Sequence, residues 1–265
     1  LTFTAAPSSN SGNNIFVYYL FRTVGTVSHP SNNALQASDG TFSGSLAIGT
    51  TSLVSDAKLA ISSDNTESNI FLERSGSGKF DVAIANTSGS LSFKGGSNQT
   101  TVAALTEFMK IDGATGAVTK PLQPAFLATF GTSTLANVAT GTDHTIVFET
   151  ERFDQNGDYD TSTGVFTAPI TGRYDLKASV YLNQIDTSAS YIQLKLVTSN
   201  HTYISIIDPN YSADLSYLTY ETKPILADMD AGDTVKVDFK VTGGGDQVDI
   251  MHNNSYSAFS GYLAC

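Results

Sequence analysis

Strict alternation of apolar and polar residues in the C-terminal half constrains the fold of this chain more than any other feature. One run places apolar residues at every second position from Tyr174 to Leu182, with Asp175, Lys177, Ser179 and Tyr181 between them. The same period recurs from Ile192 to Leu196 and from Val235 to Val241. A period of two with one polar face is typical of antiparallel sheets packed on a core. The pattern therefore predicts an all-β sandwich.

Composition limits the classes of partner. The chain has 14 basic and 25 acidic residues, a net charge of −11. A nucleic-acid binder needs a basic stripe, and the sequence shows none, so we expect neither nucleic acid nor anionic membrane as a partner. The longest apolar run, 15–21, is far shorter than the roughly 20 residues of a spanning helix. The single cysteine, Cys265, excludes an internal disulfide, so stability has to come from packing or assembly.

Turn-rich stretches divide the chain into four parts. Residues 1–44, with an apolar run at 15–21 that predicts a strand, are interpreted as the end of an upstream β domain or a connector. Residues 45–120 contain short alternating segments between Gly- and Ser-rich turns, and predict a β-rich shaft. Residues 121–124 carry two prolines and predict an extended linker. Residues 125–265 are the predicted head. The first residue is Leu and no leader is visible, so we expect a fragment or a processed piece.

The shaft has too little apolar surface in one chain to bury a core, which favours three chains sharing one around an axis. Its last segment is the most specific. Met109-Lys110-Ile111-Asp112, followed by Gly116-Ala117-Val118, resembles a β-hairpin phrase that recurs in bacteriophage tail fibres and tailspikes. The resemblance implies an intertwined trimeric stalk that leads into a distal domain.

The head carries its own resemblance. Its segments occur in the order and spacing of the globular head of complement component one, subcomponent q, and its tumour-necrosis-factor-like relatives: Pro124-Ala125-Phe126-Leu127-Ala128, Phe153–Asp160, Thr163–Pro169, Gly172–Leu176, Ala231–Val235 and Phe259–Leu263. Two departures are Leu176, where the family has an aromatic, and a longer stretch between Asp208 and Gly232. The resemblance implies a ten-stranded antiparallel jelly roll that assembles as a tight homotrimer. Tyr211, Tyr217 and Tyr220 are candidates for its contacts or for a ligand surface.

Two acidic segments are candidate calcium sites. Asp154-Gln155-Asn156-Gly157-Asp158-Tyr159-Asp160 has its Gly at the wrong position for an EF-hand loop, and a tight turn is the favoured interpretation. Asp208 corresponds to a stretch in which the complement-q family uses an aspartate to hold calcium near the trimer apex. Carboxylate oxygens suit that ion. Calcium at Asp208 is therefore a tentative prediction, and a plain turn is the alternative.

The resemblances together predict a bacteriophage tail-fibre tip, an extracellular virion component. In this hypothesis its head binds a host-cell glycan or protein and its N-terminal side joins other tail proteins. The candidate receptor-binding residues are Asp208, Asn210, Tyr211 and Asp246, which belong to predicted loops. The alternatives are a purely structural fibre or neck component whose head only trimerises, and a secreted complement-q-like lectin. No nucleophile elbow, phosphate loop or metal-ligand spacing occurs, so we expect no enzyme activity.

Overall fold

A computed structural model describes residues 46–48, 59–61, 67–72, 78–99, 101–131 and 133–265. The predicted strand at 15–21 and the whole of residues 1–44 lie outside the described residues. The described parts are strands, turns and loops, with a single 3₁₀ turn over Val102–Ala104. The all-β prediction is confirmed.

The N-terminal strands form two small sheets. β1 (Leu46–Ile48) and β2 (Leu59–Ile61) pair in parallel. A five-stranded antiparallel meander follows, in which each strand pairs with the next: β3 (Glu67–Leu72), β4 (Phe80–Thr87), β5 (Ser90–Ser97), β6 (Thr106–Ile111) and β7 (Val118–Thr119). We call this the shaft sheet. Whether it forms part of a trimeric stalk stays a prediction.

The β6–β7 connection is the hairpin predicted from the fibre-like phrase. Ile111 pairs with Val118 across it. The Asp112 carboxylate accepts hydrogen bonds from the Thr115 backbone N–H (2.9 Å) and hydroxyl (2.8 Å). Gly116 completes the turn with φ +71°, a conformation that only glycine adopts at no steric cost. The side chain of Asp112 and the conformational freedom of Gly116 therefore fix this hairpin.

Residues 125–264 fold into a two-layer sandwich. Its strands, in chain order, are β8 (Ala125–Thr129), β9 (His144–Ile146), β10 (Thr150–Asp154), β11 (Tyr159–Asp160), β12 (Val165–Thr167), β13 (Gly172–Asn183), β14 (Ala189–Thr198), β15 (Thr202–Ile207), β16 (Leu218–Glu221), β17 (Ile225–Met229), β18 (Thr234–Gly243), β19 (Asp249–Ile250) and β20 (Ala258–Leu263). One sheet has the order β10-β8-β20-β13-β16, with β17 and β19 also paired to β13. The other has the order β11-β12-β18-β14-β15, with β9 paired to β18. All pairings in both sheets are antiparallel.

The core lies between the two sheets, where the alternating residues meet. The apolar positions of β13, from Tyr174 to Leu182, are all buried, and the positions between them are not. An aromatic cluster centres on Phe126, whose ring centroid lies 4.6 Å from that of Phe166 and 4.9 Å from that of Phe259. Leu176, the departure from the family pattern, is fully buried in the same core.

The sandwich has more strand segments than the ten that the resemblance implied. β16 and β17 lie end to end along β13, and they are separated by residues 222–224. Pro224 in this gap has no N–H to donate. The hydroxyl of Thr222 takes over part of the pairing, since it accepts a hydrogen bond from the Ala178 N–H at 2.9 Å. A side chain thus bridges the interruption.

The two ends of the sandwich have different connections. At one end Ala125 pairs with Tyr262, so the linker enters there, and we call it the base end. At the other end Leu182 pairs with Leu218, and Gly243 lies beside the start of β14. We call this the distal end; it comprises the loops at 183–188, 208–217 and 244–248.

Candidate functional site

All four residues predicted from sequence to bind a receptor lie on loops of the distal end. Asp208 follows β15 directly, and its carboxylate accepts a hydrogen bond from the Asn210 N–H (3.1 Å). Asn210 and Tyr211 are exposed in the same loop. Asp246 lies in the loop after β18 and accepts a hydrogen bond from the Thr140 N–H (2.7 Å). The topology therefore brings two loops, about 40 positions apart in sequence, to the end opposite the linker.

A buried carboxylate joins two of the three distal loops, 183–188 and 244–248. Asp186 is nearly inaccessible and accepts hydrogen bonds from the Ser188 N–H (2.7 Å), the Ser188 hydroxyl (2.6 Å) and the Gly245 N–H (2.6 Å). The Ser188 hydroxyl, followed by the Gly245 N–H, holds the pKa of Asp186 below its usual value. Gly244 has φ +74°, and a Cβ there would lie 2.4 Å from the Asp186 carboxylate. The glycine run thus provides the close backbone approach that this carboxylate needs.

A second carboxylate ties the long 208–217 loop to its neighbours. Asp214 accepts hydrogen bonds from the Thr187 N–H (3.0 Å) and hydroxyl (3.1 Å), and from the Gln247 amide (3.0 Å). The Thr187 N–H is the main cause of a lowered pKa for Asp214. All three distal loops are therefore joined through Asp186 and Asp214. The sequence analysis missed both residues, because their partners lie up to about 60 positions away.

Three tyrosines form an exposed aromatic cluster at the distal end of the β13 sheet. Tyr181 stacks on Tyr217 with ring centroids 6.1 Å apart and planes at 6°, and lies 5.1 Å from Tyr256. Tyr217 and Tyr256 are exposed, and Tyr181 is half-buried between them. One signal for this cluster was present in the sequence: Tyr181 is the aromatic residue in the otherwise polar face of the β13 alternation. Tyr220, named with Tyr211 and Tyr217 as a contact candidate, instead points inward and packs against the core.

The acidic segment at 154–160 forms a turn. Asp154 accepts hydrogen bonds from the backbone N–H groups of Gly157 (3.1 Å) and Tyr159 (2.7 Å), and Gly157 has φ +73°. These contacts match the tight turn favoured from sequence. The described residues contain no group of three or more His, Cys, Asp or Glu that could hold a metal.

Comparison with known proteins identifies the sandwich. A family model described as the C1q domain matches residues 125–264, which is more than half of the chain. The chain belongs to the C1q domain family. The match begins at β8 and ends one residue after β20, so it covers the whole sandwich, and the jelly-roll prediction is confirmed.

Solved structures similar to this chain include the globular domain of zebrafish complement 1qA protein, at 17% identity and a TM-score of 0.38, covering 54% of this chain and 98% of that one. Murine APRIL is similar at 8% identity and a TM-score of 0.40, covering 53% and 98%. The Eiger TNF from S. frugiperda follows at 14% identity and a TM-score of 0.37, covering 54% and 94%. Among curated proteins, none matches. The family assignment rests on the C1q domain match and not on these structures.

Three general properties are known for domains of the C1q family. They commonly form homotrimers. Domains of this kind are usually extracellular and typically non-enzymatic. Across the part of the chain that the structure describes, no helix is long and apolar enough to cross a membrane.

Proposed function

We propose that this chain is the tip of a fibre-like attachment protein, in which the C1q domain assembles as a homotrimer and binds a host-cell surface receptor through its distal end. The observation that carries this proposal is the polarity of the sandwich. The linker from the shaft enters at the base end, whereas the four predicted receptor-binding residues and the tyrosine cluster lie at the opposite end. Loops held on a rigid scaffold are common sites of binding.

The chemistry of the distal end suits a glycan. Tyr211, Tyr217 and Tyr256 expose aromatic faces on which sugar rings can stack. Asp208 and Asn210 offer oxygen and amide groups for sugar hydroxyls. Three copies on one axis would add weak single-site affinities through avidity. We therefore propose a surface glycan as the first class of receptor to test, and a protein receptor as the second.

We propose that this fibre belongs to a bacteriophage, because the hairpin from Met109 to Val118 resembles a phrase that recurs in tail-fibre shafts. A secreted complement-q-like lectin is the second candidate, because membership of the C1q domain family is equally compatible with it. A head that only trimerises the fibre is the third. The receptor-binding proposal covers the first two, and the test below separates them from the third.

Binding of the labelled full chain to intact bacterial and animal cells tests the proposal. We expect saturable binding to one cell class, reduced at least tenfold by combining Tyr211→Ala with Tyr217→Ala. Ile170→Ala removes an exposed apolar side chain near the base end and is the matched control, expected to bind as the wild type does. Absence of binding to any cell or glycan array by a correctly folded chain would leave only the structural role.

Calcium at Asp208 is a separate proposal. The carboxylate is exposed, and one of its oxygens accepts the Asn210 N–H. A calcium ion would need further acidic ligands, and the equivalent aspartates of other copies would supply them if they met near a three-fold axis. A ligand that binds only the folded state raises its melting temperature. We therefore expect EDTA to lower the melting temperature of the wild type and to leave that of Asp208→Ala unchanged; equal melting of the wild type with and without EDTA would refute the site.

A further inference from the structure

The large apolar side chains of the shaft sheet lie on its exposed face, where a single chain does not bury them. β4 alternates with Asp81, Ala83 and Ala85 buried, whereas Phe80, Val82 and Ile84 are exposed. The buried side is thin: Ala83 and Ala85 pack with Val102 and Leu105 of the segment around the 3₁₀ turn. We call the other side, where Phe80, Val82 and Ile84 lie, the apolar face.

Register extends the apolar face across all five strands. Residues directly opposite in paired strands share a face, and the pairs that join Ile70 to Ile84 and Ile84 to Phe93 continue it from β3 to β5. The pairs of Leu91 with Ile111 and of Ile111 with Val118 continue it through β6 to β7. Seven large apolar side chains on it are between 39% and 57% exposed: Ile70, Leu72, Phe80, Val82, Ile84, Leu91 and Val118. A contiguous patch of this kind is uncommon on a monomeric soluble protein and marks an interaction site.

The surroundings of Gly95 show that the face is built for packing. The rings of Phe80 and Phe108 stack over this residue with centroids 6.0 Å apart. A Cβ at Gly95 would lie 2.4 Å from the Phe108 ring and 2.7 Å from the Phe80 ring. Gly95 thus leaves room for the Phe80 ring of β4 and the Phe108 ring of β6 to meet over β5, which makes this part of the face continuous.

Charge indicates what covers the face. The charged residues of β4 to β6 point to the other side: Asp81, Lys94, Glu107 and Lys110. The chain as a whole carries −11, so two copies repel each other wherever acidic residues meet. A face that is free of charged side chains across these described strands is where identical acidic chains can meet without that cost.

The short linker would keep each shaft sheet close to its head, and therefore close to the shaft sheets of the other copies. β7 ends at Thr119 and β8 begins at Ala125. The five intervening residues span at most about 18 Å when fully extended. Because C1q homologues form homotrimers, the heads would hold three shaft sheets close together, at a high effective concentration.

We infer that the apolar face of the shaft sheet is a self-association surface, which packs against the same face of other copies of this chain. The surface lies outside the C1q domain match, so it is an interface additional to that of the head. The inference rests on the homotrimer part of the proposed function and is independent of receptor binding. It assigns to β3–β7 the role of a second, apolar trimer contact.

Cysteine chemistry tests the surface in the full chain. Cys265 is the sole cysteine and is exposed, so Cys265→Ser gives a background without thiols. Ile84→Cys in that background places one thiol on the apolar face with little change in polarity. Ala114→Cys places one in the exposed β6–β7 turn and is the matched control.

Two measurements on these variants decide the outcome. We expect a soluble thiol reagent to label the Ile84→Cys variant at least tenfold more slowly than the Ala114→Cys variant, and a short bismaleimide to link the Ile84→Cys chains into covalent dimers. Labelling of both variants at the same rate would overturn the inference. Slow labelling of the Ile84→Cys variant without cross-linking would also overturn it, because a segment of the same chain would then cover the face. Neither measurement involves cell binding, so failure of this inference is distinguishable from failure of the receptor-binding proposal.

Discussion

Replacing Asp186 by alanine should loosen the distal end and destabilise the C1q domain. The substitution removes three hydrogen bonds of 2.6–2.7 Å to a buried carboxylate and leaves the Ser188 and Gly245 N–H groups without this acceptor. Hydrogen bonds to a charged group are worth about 1.5–3 kcal/mol each, but water can reach part of this loop. We therefore expect a loss of about 2–3 kcal/mol. At about 4 °C per kcal/mol for a domain of this size, the melting temperature falls by about 8–12 °C.

Near-UV circular dichroism measures this change in the intact chain. Trp is absent and ten of the 12 tyrosines lie within the C1q domain, so the tyrosine signal reports the sandwich. Asp230→Ala is the matched control, since it removes an exposed aspartate of the same domain that accepts one side-chain hydrogen bond, from the Thr171 hydroxyl at 3.3 Å. We expect it to shift the melting temperature by less than about 2 °C. Equal shifts for the two variants would refute the scaffold role of Asp186.

Three further predictions concern the C1q domain. Phe126→Ala, at the centre of the aromatic cluster, should cost about 3–5 kcal/mol in denaturant unfolding; a loss under about 1 kcal/mol would contradict the packing described. Tyr174→Phe should cost about 1 kcal/mol because its hydroxyl donates to a backbone carbonyl at 2.8 Å. Tyr220→Phe should cost nothing, since its buried hydroxyl has no partner among the described residues; the reverse order of these two costs would refute the assignment. The pKa values of Asp186 and Asp214 are lowered by folding. Their stabilisation is therefore complete above the ordinary pKa of an aspartate, about 4, and is lost as pH falls through the lower pKa values of the folded state. Thermal melts should show this loss in the wild type and a smaller one in Asp186→Asn.

The sandwich was predictable because its alternation is strict. Every apolar position from Tyr174 to Leu182 is buried against the second sheet. In a long strand the side-chain period of two leaves one register that buries the apolar set. Strand breaks were not predictable in the same way. The gap at residues 222–224 depends on the Thr222 hydroxyl reaching a strand that is 44 positions away.

The loop position of the four candidate residues was predictable, whereas the contacts around them were not. Loop composition was enough to select Asp208, Asn210, Tyr211 and Asp246, and topology places them at one end. The Asp186 and Asp214 bonds join loops that are 27–59 positions apart, and the tyrosine cluster draws on three separate segments. Such pairings depend on tertiary structure, so sequence periodicity cannot predict them.

The shaft sheet also shows that periodicity predicts strands but not their tertiary contacts. Short alternating segments in residues 45–120 predicted strands, and β4 is one of them. Periodicity separates two faces but does not say which one a partner covers. The small residues Ala83 and Ala85 lie on the buried face, and the large apolar residues of β4 lie on the exposed face. The reason is a tertiary contact, because Val102 and Leu105 pack against the two alanines.

Multi-angle light scattering of the full chain measures directly whether the protein is a trimer that presents three distal ends. We expect a species near 84 kDa, three times the 28.0 kDa of one chain, that persists on dilution to sub-micromolar concentration. A folded monomer near 28.0 kDa would contradict both the trimeric head and the self-associating shaft sheet.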